Sequence, residues 1–155
     1  MLALLPSMAL ATLQIPDEVV MDDETSPLRG EPLRSKVSPV PREGLVTITS
    51  GPGQCTASWR GYKAFWRIHE DMLLLERVVT DPCSRTPTEV DIRLFSTDGG
   101  QTVHATWFTG VLFVPRGQPK QHRGGSDESV YERYVVLVLQ RGRVLSRTVI
   151  DEPPR

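Results

Sequence analysis

Cys55-Thr56-Ala57-Ser58-Trp59-Arg60-Gly61-Tyr62-Lys63-Ala64-Phe65-Trp66 is echoed by His104-Ala105-Thr106-Trp107-Phe108-Thr109-Gly110-Val111-Leu112-Phe113. Each runs Ala, then Ser or Thr, then Trp, then Gly two or three residues on, and continues in alternating aromatic and aliphatic residues. Together they hold all three tryptophans and three of the four phenylalanines, so they are the source of the core. A glycine at that point reads as a bend in a strand. Period two then places Tyr62, Ala64, Trp66 and Ile68 on one face and Lys63, Phe65 and Arg67 on the other.

The same period extends outward from these stretches. Residues 45–49 alternate, and Glu70-Asp71 turns the first Trp strand into a second over residues 72–79. That run also has a helical spacing at Met72, Leu75 and Val78, but its β-branched end favours a strand. Val90, Ile92 and Leu94 alternate with Glu89, Asp91 and Arg93, as in a half-buried strand. Asp98-Gly99-Gly100 has the chemistry of a tight hairpin turn, which would pair that strand with residues 103–114, bent at Gly110. Residues 116–129 are polar and read as a mobile loop. Residues 134–139 are apolar on both faces, as in a central strand covered on both sides, and a turn at 140–143 leads into a closing strand over 144–150. Seven or eight strands with no amphipathic helix give an all-β or mainly β fold, a single-domain antiparallel barrel or sandwich.

Before that domain, which spans residues 44–152, come two segments of other character. Residues 17–43 hold Pro27, Pro32, Pro39 and Pro41 and read as an irregular arm laid over the sheet, with a short strand near residues 18–21 as an option. Residues 1–16 carry no charged side chain. They form an apolar tail or a weak signal-peptide candidate ending near Ala9-Leu10-Ala11, short for that role and lacking an early basic residue.

The chain has 155 residues with 18 Lys and Arg against 19 Asp and Glu. Near-neutral charge argues against nucleic acid as a partner, and no apolar run is long enough for a membrane-spanning helix. The chain reads as soluble and cytoplasmic, with a periplasmic or secreted location as the alternative. Cys55 and Cys83 are either a disulfide, stabilising by about 3.6 kcal/mol through loop entropy, or a pair of small buried thiols.

Residues 59–66, the Ala105-Thr106-Trp107-Phe108-x-Gly110-x-Leu112 stretch, Ser129-Val130-Tyr131-Glu132-Arg133 and the Gly142-x-Val144 closing strand resemble a family of small, mostly uncharacterised bacterial β-rich proteins. The likeness covers residues 54–152 and implies a bacterial source and a compact β domain, but no activity. Residues 117–127 are more basic here than is usual in that family, which separates any shared ligand surface from this one.

Chemistry is sparsely marked. His104 with Asp98, and His69 with Glu70, are the acid–base pairs that the residues allow, and His122 lies in the polar loop; none has a recognised triad or metal spacing. Cys55, Cys83, His69 and His104 include zinc donor types but at the wrong spacing, so neither metal nor cofactor is expected. Trp66 and Trp107 read as core. Trp59, Arg60, Tyr62, Tyr131 and Arg133 are the candidates for a ligand or partner surface. The composite expectation is a non-enzymatic protein that binds a protein partner, such as a toxin-neutralising immunity protein or an accessory protein. The alternative is an enzyme or small-ligand carrier with its site in a barrel mouth near Trp59, His104 and Arg133.

Overall fold

Tyr62, Ala64 and Trp66 are buried on one side of a strand while Lys63 and Phe65 are half-buried on the other, as their alternation requires. The computed structural model describes residues 14–49, 51, 55–120 and 129–151. In chain order the strands are β1 (Asp17–Met21), β2 (Glu24–Leu28), β3 (Val37–Ser38), β4 (Val46–Thr47), β5 (Tyr62–His69), β6 (Met72–Thr80), β7 (Thr88–Val90), β8 (Val103–His104), β9 (Gly110–Lys120), β10 (Val130–Gln140) and β11 (Arg143–Ile150). Short 3-10 turns occupy Arg34–Lys36, Thr56–Ser58 and Ile92–Phe95.

Nine strands form one sheet in the order β2-β1-β5-β6-β11-β10-β9, with β7 and β8 pairing along the remaining edge of β6; β3 and β4 make a separate parallel pair. The protein is therefore mainly β, but the large sheet is mixed, because β1 runs parallel to β5. Nor does it close into a barrel. Its end strands touch through one antiparallel bridge, in which Arg29 and Phe113 exchange backbone hydrogen bonds of 3.0 and 3.1 Å. At the other seam β6 meets β11 only where Met72 faces Arg143, with Leu73 N–H donating to Gly142 and Val144 N–H donating to Asp71. Two half-sheets thus enclose a core of Val19, Met21, Leu28, Trp66, Leu75, Val78, Leu112, Val114, Leu137 and Leu139.

Four expectations change. Residues 17–28 are two sheet strands and not an irregular arm, β1 falling where a short strand was an option: Asp17, Val19 and Met21 alternate inward, and Pro27 is tolerated because β2 has only the Arg29 bridge on its outer side. Residues 92–95 coil into a 3-10 turn that buries Phe95, so the expected hairpin at Asp98-Gly99 does not form. Asp98 instead accepts from the Ser96 hydroxyl and the Gly100 N–H and closes a local loop. The expected strand 103–114 is interrupted, β8 pairing with β6 and β9 with β10. The polar loop begins later than its composition indicates, since β9 runs on to Lys120; the expected mobile loop otherwise falls on residues 121–128, outside the described residues.

Three hairpins use two-residue turns with left-handed backbone: Asp22-Asp23, Glu70-Asp71 and Arg141-Gly142, with φ between 48° and 74°. Such turns match the twist of the flanking strands. Because the β5–β6 hairpin brings Tyr62 opposite Thr80, its ends lie together, and Cys55 and Cys83 are joined there as a disulfide with Cα atoms 6.2 Å apart.

Candidate functional site

Asp17 opens β1 with its carboxylate fully buried, where an isolated charge would be costly. Three donors meet it. The Ala64 N–H and an Arg60 guanidinium N–H reach Oδ1, each at 3.0 Å, and the Trp66 indole N–H reaches Oδ2 at 3.1 Å. Arg60 also donates to the Ile15 carbonyl and lies 3.7 Å from Glu31, which makes it the hub of two acids. Burial is the largest influence on Asp17 and raises its carboxyl above the ordinary value, opposed by the Arg60 charge and then by the hydrogen bonds from Ala64, Trp66 and Arg60. Parallel pairing of β1 with β5 is what aligns Asp17 with Ala64 and Trp66.

The Arg60 guanidinium stacks over the Tyr62 ring, 4.8 Å from its centroid. The buried Tyr62 hydroxyl has no hydrogen-bond partner among the described residues. Burial pushes the Tyr62 phenol up to about 12. Arg60 and Tyr62, expected on a ligand surface, are therefore internal. Trp59 behaves otherwise and is 59 % exposed beside the glycine bend, whereas Trp66 is core and Trp107 half-buried, its indole donating to the Pro32 carbonyl at 2.8 Å.

Gln14 and Ile15 connect this network to a surface cleft. Ile15 N–H donates to Ala57, and Gln14 accepts from Trp59 N–H, which fixes the segment against the turn at Thr56–Ser58. On its other side the segment walls an apolar cleft of about 340 Å³, completed by Pro16, Pro27, Pro115 and Tyr131, with Arg29 at its rim. Arg29 lies 4.9 Å from the Tyr134 ring centroid, and Tyr131 meets Tyr134 edge-on at 6.4 Å. Of the expected surface residues, then, Tyr131 lines the cleft, while Arg133 is exposed on β10 and makes no ion pair among the described residues.

The acid–base candidates are not assembled into a bonded pair. His104 and Asp98 line one small cavity of about 110 Å³, yet the His104 Nε2 is engaged by the Gly142 carbonyl at 3.0 Å. The Ser96 hydroxyl and then the Gly100 N–H hold Asp98 below the ordinary carboxylate range. His69 and Glu70 are 3.8 Å apart at an exposed turn. Among the described residues no group of three His, Cys, Asp or Glu side chains could hold a metal ion, and no helix is long and apolar enough to cross a membrane.

One surface stands out in the half-sheet β9–β10–β11. Val135, Leu137 and Leu139 face the core, so their neighbours in β10 face away from it. In register across that outer face lie Val111, Val138 and Ser146; then Phe113, Val136 and Thr148; then Pro115, Tyr134 and Ile150. No member of these rows is charged. Val111 and Val138 are 46 % and 38 % exposed, Val136 and Phe113 are half-buried and Tyr134 is buried, so the second apolar side of residues 134–139, expected to be covered, is left open at the Val138 end. Residues 110–120 and 129–151 also carry six Lys or Arg against two Asp or Glu, whereas the remaining described residues carry ten against fourteen. Charge is segregated between the two halves.

Asp17 was missed by sequence reasoning, although a signal existed: it occupies the inward phase of an Asp17-Val19-Met21 alternation, where only a paired acid is tolerated. Arg116 was missed too. It is buried, donates to Ser26 and to the Met21 carbonyl, and ties β9 to the β1–β2 hairpin. Compared with family models, with curated proteins and with solved structures, the chain matches none.

Proposed function

We propose that this chain is a binding protein whose partner is another protein, seated on the outer face of β9–β10–β11. The observation that carries this reading is the uncharged, partly exposed row structure of that face, in which Val111 and Val138 pair side by side. Contiguous exposed apolar surface marks interaction sites, because leaving it in water opposes folding and solubility. Neutralisation of a toxin and an accessory role in an assembly are both forms that such binding takes, and the genes flanking this one separate them. The Cys55–Cys83 bridge favours an oxidising compartment over the cytosol for this activity.

Placing a photoreactive phenylalanine analogue singly at Val138, Val111 and Leu94 in the native host tests this reading. Leu94 is exposed outside that face, so it serves as the control. Adducts to one protein from Val138 and Val111 and not from Leu94 are expected. Adducts from all three positions alike, or from none, overturn the proposal.

A second reading, carriage of a small apolar ligand, is favoured by the 340 Å³ cleft, whose size falls within the ordinary range of ligand pockets. Native mass spectrometry of protein isolated from its host would reveal a bound mass that Ile15→Arg removes.

A further inference from the structure

We infer that β11 is a strand-addition edge that takes an extended, acidic segment of the partner; this rests on the protein-partner reading above. From Leu145 to Ile150 the strand bonds to β10 on one side only, and its other side has no backbone partner among the described residues. Proteins usually guard such an edge with a bulge, a proline or inward charges. Here the bulge between Val138 and Leu139 sits at the start of the free stretch, no proline lies between Leu145 and Ile150, and Arg147, opposite the core residue Leu137, is the one charge within it. The free stretch instead offers Leu145 and Val149, 60 % and 58 % exposed. Added strands gain affinity from main-chain hydrogen bonds and specificity from alternate side chains, and this edge presents both.

Charge chooses the occupant. Arg141 and Arg143 flank the edge without an ion pair among the described residues, within the basic half of the molecule. Arg147, inside the free stretch, is met by Asp22 of the β1–β2 turn at 3.0 Å. Both members of that pair are exposed, so the Asp22 carboxylate stands where an incoming Asp or Glu would, and exchange between them costs little. Charge gives a second copy of the chain no advantage, because the antiparallel register centred on Arg147 sets that arginine against its own counterpart. An extended segment with acidic residues at alternate positions on the face of Arg147, and apolar ones between them on the opposite face beside Ser146 and Thr148, where they continue the uncharged rows of the outer face, fits this edge.

The test uses the full chain, isotopically labelled, with an acetylated octapeptide alternating Glu and Val and its Lys–Val counterpart, each at about 1 mM, an affinity range that a weak strand addition reaches. Amide hydrogen exchange at residues 145–150 is read by NMR. The acidic peptide is expected to slow the outward-directed amides about twofold, the protection that half-occupancy gives. The lysine peptide should have no such effect, and Arg143→Glu should weaken the response to the acidic peptide about fivefold or more. No slowing, equal slowing by both peptides, or slowing that follows protein concentration alone overturns the inference; the last result would assign the edge to a second copy. Shifts confined to Val111, Phe113, Val136 and Val138 without edge protection also overturn strand addition, while leaving the face reading intact.

Discussion

The Trp66 indole donates to the Asp17 carboxylate at 3.1 Å across the parallel β1–β5 pair, so β1 is locked by the largest side chain that β5 buries. Asp17→Ala leaves Arg60 without its buried counter-charge and leaves the Ala64 N–H and the Trp66 indole without acceptors. Removing one member of a buried pair costs about 3–5 kcal/mol, and urea unfolding followed by tryptophan fluorescence should show a loss of that size. Asp17→Leu combined with Arg60→Leu should recover part of it, because no charge is then stranded.

Tyr62→Phe should leave the fold unchanged and raise stability at neutral pH by up to about 1 kcal/mol, since it removes a buried hydroxyl that makes no hydrogen bond. The two proteins should part at high pH. With its phenol raised from about 10 to about 12 by burial, Tyr62 contributes stability that is fully present below pH 10 and is lost as pH rises through 12, an effect of about 2–3 kcal/mol. Thermal melting between pH 9 and 12 should therefore show a steeper decline in the wild type than in Tyr62→Phe.

Glu70 and Asp71 hold φ of 49° and 59°, a conformation that costs side-chain-bearing residues free energy. Asp71→Gly keeps the carbonyl that accepts from Val144 and should stabilise by about 0.5–1 kcal/mol, seen as a higher melting temperature. A lower melting temperature would mean that the Asp71 side chain has a structural task of its own.

Replacing Cys55 and Cys83 together by Ala should lower stability by about 3.6 kcal/mol, the entropy of the released loop in the unfolded chain. The loss should match that produced by reductant on the wild type, and reductant should leave the double variant unaffected.

The parts of the fold legible in the sequence are those written by neighbours. Tyr62, Ala64 and Trp66 announce β5 because period two is a local signal, and Glu70-Asp71 announces its hairpin. Asp98-Gly99-Gly100 misled for a physical reason: an acid followed by two glycines serves a loop closed by Ser96 as well as it serves a hairpin, and only the packing of Phe95 decides. β1 gave only a faint local sign, the Asp17-Val19-Met21 alternation that left a short strand at residues 18–21 as an option, because its partner β5 is distant in sequence and short polar–apolar runs near prolines resemble irregular chain. The same distance hid the candidate site. Arg60 and Tyr62 were recognised as notable, but their burial depends on Asp17 and Glu31, which no spacing rule connects to them. Arg116 resembled a loop residue until the Met21 carbonyl and Ser26 were seen to receive it.

Parallel pairing of β1 with β5 also orders events during synthesis. Glu18 faces Phe65 and Arg29 faces Phe113, so β1 and β2 are made well before the strands that β5 and β9 supply, and until then pair only with each other. An isolated two-stranded hairpin is marginally stable in water, and β1–β2 must therefore wait as a loose ribbon. During that interval its edges are open to the wrong strands, and nascent chains halted before residue 69 should be the form most prone to aggregate.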